Sequence, residues 1–222
     1  MNDLAQKSFI GFLQLIIGLA AMLFVPAWTF DYWQAWIYLL IFTISILWIS
    51  AYLLMHDSKL LERRLKRTEN EKSQKKIQFY MYISYIGLFI LSSLDHRFLL
   101  SDVPFIVVMA GDALVALGYL IIFLVLKENS FAATIIEVTP GHKVISTGPY
   151  AIIRHPMYAG AIVLILGTPL ALGSWWGLLS FILITYIIAL RTLEEEKFLS
   201  RELSGYKEYC QKTPYRLIPF IW

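Results

Sequence analysis

A single cysteine, Cys210, stands in the whole chain, so no internal disulfide can staple it. Charge is scarce: Asp, Glu, Lys and Arg make up 16% of the 222 residues, where a soluble domain carries about 25%. The four histidines do not gather with cysteine or acids at metal-ligand spacing, so no metal centre is expected. No second half echoes the first, which argues against a transporter built from paired broken helices. What is present instead is apolar. Hydrophobic residues reach 58%, against about 45–50% in a typical soluble domain. They fall in runs of about 18 or more, the length a helix needs to cross roughly 30 Å of hydrocarbon. The chain reads as one polytopic, all-α integral membrane domain.

The first apolar run, 9–25, exceeds the about 7–15 residues of a signal-peptide core, and Lys7 is its only basic lead. It is expected to be a retained transmembrane helix over 8–30. A second follows over 33–55, with Trp28, Trp33 and Trp36 gathered at the boundary as an interfacial aromatic belt. Helices over 77–94 and 103–126 complete four spans in residues 1–126. The basic stretch 56–76 between them reads as a solvated, topology-fixing loop that also suits anionic lipid heads. His96 is expected at the interface. Asp112, inside the fourth helix, is a costly carboxylate in lipid; its place nine residues from the helix start puts it near the head groups.

After Lys127 the helical pattern stops. Thr139-Pro140-Gly141 and Thr147-Gly148-Pro149 are turn signals. About thirty residues of loop beside a membrane point to function. A helix begins at Pro156, favoured in the first turn, with His155 at its cap. Gly173-Ser174 divides the apolar run that follows into a tight hairpin; one long broken helix is the alternative. From Arg191 an amphipathic helix is expected along the surface to about Lys212, because Leu199, Leu203, Tyr206 and Cys210 repeat at helical spacing. With about six crossings, one side of the membrane receives every Lys and Arg except Arg97. That is a strong positive-inside signal, and it places both termini, the central loop and the charged tail in the cytoplasm. The broken-helix alternative would strand the basic tail outside.

The residues 142–160 hold the chemistry. The first N–H groups of a helix lack internal partners and carry partial positive charge, so anions bind there. Arg154 and His155 sit beside that end. Arg191 and Glu195, four apart, share a helix face, and a hairpin returns them to the level of His155. Such a site suits a small zwitterion.

Gly148-Pro149-Tyr150, Arg154-His155-Pro156, Tyr158 and Gly160, then Glu194-Glu195, Gly205, Tyr206, Tyr209 and Arg216-Leu217-x-Pro219, resemble the isoprenylcysteine carboxyl methyltransferase family. That superfamily includes phospholipid and thiol methyltransferases. The resemblance covers about 129–219, and it implies S-adenosylmethionine as cofactor. By position, His142, Lys143, Val144 and Ile145 match the segment lining the cofactor, and Tyr150 a cofactor-contacting tyrosine. His155, Pro156, Met157 and Tyr158 match the motif at the methionine end, with Arg154 beside it. Glu195 matches an acid on the cofactor, Arg191 an arginine on the substrate side. Tyr158, Arg191 and Glu195 form the expected catalytic group. Ile135 or Ile136 stands where some eukaryotic members carry Gln, a departure that bears on the prenylcysteine substrate. The resemblance implies methyl transfer to a lipophilic or membrane-delivered acceptor: a prenylated cysteine, an amino lipid or a thiol. A short chain without organelle signals is read as a prokaryotic inner-membrane member. Membrane steroid-type reductases, which use a nicotinamide cofactor, have a related motif, but Ile153, Met157 and Ala161 replace its Ser, Asn and Glu. That reductase and a non-enzymatic membrane protein are the rival readings.

Overall fold

The computed structural model describes residues 2–65, 72–132 and 143–222, and every regular element among them is helical. The order is α1 (Asn2–Ala27), α2 (Trp33–His56), α3 (Ser58–Leu65), α4 (Lys72–Phe98), α5 (Phe105–Glu128), a 3-10 turn (Gly148–Ala151), α6 (Pro156–Ala171), α7 (Gly177–Glu202) and α8 (Tyr206–Lys212). Helices α1, α2, α4, α5 and α7 are long and apolar enough to cross a bilayer. Helix α6 has 16 residues, about 24 Å at 1.5 Å per residue, short of the roughly 30 Å hydrocarbon core.

Helices α5 and α6 pack backbone to backbone. A Cβ on Gly118 would lie 2.7 Å from the Leu164 nitrogen, and one on Gly111 would lie 2.3 Å from the Ala171 nitrogen. On the facing helix, a Cβ on Gly167 would lie 2.6 Å from the Gly111 carbonyl oxygen. Small residues let helices meet closely where no hydrophobic drive separates them from lipid. Gly160, part of the sequence motif, sits in this seam. The contact holds the start of α6 beside the end of α5.

The opposite end of α6 is tied down by polar groups. Tyr32 donates its hydroxyl to the Leu172 carbonyl at 2.7 Å. Asp95 accepts from Ser101 at 2.6 Å and also from Ser174, whose oxygen in turn accepts from the Gly177 N–H. Gly173 takes φ +69° there. These bonds close a turn between α6 and α7, so the two form a hairpin and not one broken helix. His96 is no bare interfacial residue: its ring stacks on Tyr32 at 3.8 Å.

Two expectations are corrected. The stretch 56–76 is not loop throughout, because α3 lies within it. Asp57 Oδ1 accepts from the Leu60 N–H at 3.0 Å, capping α3, and Leu60 and Leu61 are buried with Leu53 and Leu126. The tail is not one surface helix from Arg191. α7 runs straight through to Glu202, and Gly205 at φ +83° starts the separate α8. Asp112 is 3% exposed, and its carboxylate oxygens have no hydrogen-bond partner among the described residues.

Candidate active site

Behind the α5–α6 seam, the segment 143–155 folds across the ends of the helices. Gly148 takes φ +56°, and a Cβ there would meet the Glu128 side chain at 3.0 Å, so glycine fits both turn and contact. Thr147 donates its hydroxyl to Glu128. The 3-10 turn then presents Tyr150. Its hydroxyl accepts from Asn129 Nδ2 at 2.8 Å, and its carbonyl accepts from the Tyr209 hydroxyl at 2.7 Å. Burial pushes the Tyr150 hydroxyl up to about 12, with the charge of Glu195 adding to the effect and the Asn129 bond opposing it. It stays protonated through the physiological range.

His155 caps α6 and Pro156 starts it. The backbone N–H groups of Arg154 and His155 donate to the Tyr215 and Arg216 carbonyls at 2.9 and 3.0 Å. The chain after α8 therefore runs against the helix entrance, and these two N–H groups serve that contact. The His155 ring is also engaged: Nε2 lies 3.2 Å from Glu196 Oε1. An ionised carboxylate only accepts, so Nε2 carries the proton. His155 is thus engaged through Nε2 at the helix entrance. Its ring belongs to a charged knot, in which Arg154 Nε lies 3.2 Å from Glu196 Oε1 and Arg216 Nε donates to Oε2 at 2.9 Å.

Within the first turn of α6, Tyr158 meets α7. Its hydroxyl donates to Glu195 Oε2 at 2.6 Å and accepts from Arg191 Nε at 2.9 Å. Spacing alone placed Arg191 and Glu195 on one face; Tyr158 is the bridge between them.

These groups surround a cavity of about 400 Å³. Lys143, Val144, Ile145, Tyr150, Arg154, His155, Met157, Tyr158, Arg191 and Glu195 all line it. Pro156 is buried as the first residue of α6. His142 lies outside the described residues. The cavity changes character along its length. One end is polar. The other is walled by Met81 and Tyr85 of α4, Ile122 of α5, Ala161 of α6 and Ile188 of α7.

Sequence reasoning missed several wall residues. Arg64 of α3 and Asn129 line the polar end. Tyr206, 4% exposed, lines it too, and its hydroxyl has no hydrogen-bond partner among the described residues. Burial raises the Tyr206 and Tyr209 hydroxyls well above the ordinary tyrosine value, so both remain neutral. The sequence had singled out Tyr206 only for helical spacing and motif. Glu196, given no role in the sequence reading, is the hub of the knot.

Residues 106–204 match the phospholipid methyltransferase family. That match covers somewhat under half of the chain. Tyr150, the Arg154–Tyr158 motif, Arg191 and both glutamates fall inside it, whereas Arg64, Tyr206 and Arg216 fall outside. The chain is also 27% identical over 149 residues to proteins named probable protein-S-isoprenylcysteine O-methyltransferase from two subspecies of rice, Oryza sativa indica and japonica. The match covers 66% of this chain and spans 66% of the rice proteins' length. A mouse Delta(14)-sterol reductase is 29% identical over 91 residues, 39% of this chain and 22% of the reductase. The resemblance read from the motifs, over about 129–219, overlaps the family match over 106–204.

Proposed function

We propose that this protein is a membrane methyltransferase that uses S-adenosylmethionine and acts on a lipophilic or membrane-delivered acceptor. One observation carries the reading: a single cavity joins a polar, charge-bearing end to an apolar end walled by membrane-length helices. A polar donor and an apolar acceptor need both ends.

The residues present fit the donor. Glu195 suits a ligand ammonium. Lys143 and Arg64 suit a carboxylate, and the buried, unpartnered Tyr206 hydroxyl offers a hydrogen bond toward the cavity. Val144, Ile145, Tyr150 and Met157 supply apolar surface, with Arg154, His155 and Pro156 framing it. When bound, S-adenosylmethionine supplies an electrophilic methyl group. The chain's own part is positioning and exclusion of water, which supply most of the rate in such a transfer. Tyr158, fixed by two hydrogen bonds, sets the Glu195 carboxylate where polar and apolar walls meet. An amine acceptor would release a proton there, with Glu195 as the base. A carboxylate or thiolate acceptor would be oriented by Arg191.

The protein works, in this reading, as one integral membrane domain. The helices of 1–126 cradle a cofactor-binding core in 127–222, and α6 with α7 counts as a fifth and sixth crossing. The basic residues put the cavity and both ends of the chain on the cytoplasmic side of a prokaryotic inner membrane. The acceptor's tail would reach the apolar end laterally from the bilayer.

The test is transfer itself. Protein in liposomes containing amino lipids, and separately with a prenylated cysteine, is supplied with S-adenosylmethionine carrying a labelled methyl group. Label is expected in one organic extract and absent with Glu195→Gln. Label in neither extract from folded protein contradicts the reading. The mouse reductase similarity supports one rival, oxidation of a nicotinamide cofactor against a sterol-type alkene, and consumption of NADPH would favour it.

A further inference from the structure

A tyrosine of α4 stands in the apolar wall of the cavity, outside the matched family segment. Met81 and Tyr85 are four apart, so they share one helix face, and both line the cavity. Tyr82, Ile83 and Ile86 are exposed elsewhere on the same helix. Counted from the basic end of α4 at Lys75 and Lys76, Tyr85 lies one turn beyond Met81. Tyr85 is half-buried, and its ring packs against the main core. Its hydroxyl makes no hydrogen bond among the described residues.

Other interior tyrosines are committed to protein groups. Tyr32 donates to the Leu172 carbonyl at 2.7 Å, and the Tyr38 hydroxyl pairs with that of Thr168 at 3.3 Å. Tyr158 bonds both Glu195 and Arg191. A buried tyrosine hydroxyl usually finds a partner, and a donor left unmatched in an apolar site costs free energy. Phenylalanine would wall the same compartment without that cost. Ligand pockets set a few polar groups among apolar ones to fix orientation, and the Tyr85 hydroxyl is such a group.

Its place says which part of a ligand it meets. On α7, Glu195, Arg191 and Ile188 follow one another along the cavity wall. Ile188 lies about 10 Å from Glu195 along the helix axis, at 1.5 Å per residue. Tyr85 belongs to the apolar end with Ile188 and Ile122. An acceptor whose head reacts near Glu195 and whose tail fills the apolar end passes Tyr85 where the two parts join.

We propose that Tyr85 is the acceptor-recognition residue of this cavity, donating a hydrogen bond to a carbonyl oxygen that the acceptor carries where its head meets its apolar tail. The assignment rests on the methyl-transfer reading and narrows its substrate class. An amide carbonyl of an acylated prenylcysteine and an ester carbonyl of an amino lipid present the same chemistry.

Paired acceptors test it. N-acetyl-S-farnesylcysteine is compared with S-farnesyl-mercaptopropionate, which lacks the amide. A diacyl phosphatidylethanolamine is compared with its dialkyl ether analogue, which lacks the ester carbonyls. Transfer of labelled methyl from saturating S-adenosylmethionine is measured with wild type and Tyr85→Phe. In the pair that the protein accepts, wild type is expected to favour the carbonyl-bearing member about fivefold in kcat/KM, the worth of one hydrogen bond. Tyr85→Phe is expected to treat both members alike, chiefly through KM. Its affinity for S-adenosylmethionine and its thermal midpoint should stay at wild-type values. The pair that shows this pattern identifies the source of the carbonyl. Wild type indifferent to the carbonyl overturns the assignment, and so does a Tyr85→Phe protein that keeps the preference. Loss of donor affinity in Tyr85→Phe would give the hydroxyl to the donor and overturn it as well. Wild type that binds the donor and methylates none of the four compounds overturns the acceptor class alone. Folded wild type that binds no donor overturns the methyl-transfer reading, and this assignment with it.

Discussion

Glu195 and Glu196 are neighbours on α7, and the 100° step between consecutive helical residues sends them to different partners. Glu195 faces the cavity and Tyr158. Glu196 turns toward Arg154, His155 and Arg216. Their neutral variants should therefore fail differently. Glu195→Gln is expected to weaken donor binding or transfer tenfold or more, about 1.4 kcal/mol, and to leave the thermal midpoint near wild type. Glu196→Gln is expected to cost about 2 kcal/mol of stability, because it strips charge from hydrogen bonds worth roughly 1.5–3 kcal/mol each. Unfolding curves and titration of the two variants, measured in parallel, check the division. Equal loss of stability in both would contradict it. The sequence ranks Glu195 through its spacing from Arg191 and through the resemblance, but gives Glu196 no role; the helical phase relative to α6 decides that one, and that phase is set by packing. Arg64 was equally illegible, one of many cations in a basic stretch. The signal that existed was Asp57 ahead of Leu60-Leu61, a cap followed by a buried pair.

Among the elements, α5 and α6 carry the geometry of the site, since the start of α6 brings His155 and Tyr158 to the cavity. Gly118→Val inserts side-chain atoms where the Leu164 nitrogen and the Gly160 oxygen already lie within 2.8 Å. The expected cost is about 1–3 kcal/mol of overpacking together with weakened donor binding, as α6 is pushed off α5. Gly11→Ala, where a Cβ would meet nothing within 4 Å, is the control and should be neutral or slightly stabilising. A melt and a titration of both variants check this. If Gly118→Val binds and melts like wild type, the seam does not set the site. The long helices were legible because hydrophobic length alone marks them. The start at Pro156 was legible from proline's fixed φ. The course of α7 was not. Apolar span and charged tail differ in composition, which suggested two elements, yet no residue between Gly177 and Glu202 breaks a helix. Gly205, with its left-handed backbone, is where the chain turns.

At the scale of the whole molecule, residues from α1, α2, α4, α5, α6 and α7 share one core, and Leu217 of the tail belongs to it as well. The N-terminal helices, which matched no pattern in the sequence, thus support the same cavity as the motif-bearing half. The proposed sidedness rests on the charge count. A cysteine introduced at exposed Lys212 in a Cys210→Ser background should react with a membrane-impermeant maleimide in inverted vesicles and stay protected in right-side-out ones. The reverse pattern would put the site outside. The central claim, that the cavity is built for a methyl donor, is tested most directly by isothermal titration of the purified full chain with S-adenosylmethionine, with S-adenosylhomocysteine and NADPH run alongside. Saturable binding of the first two, lost in Glu195→Gln, is the predicted result. Folded protein that binds NADPH and neither of the others would contradict the account.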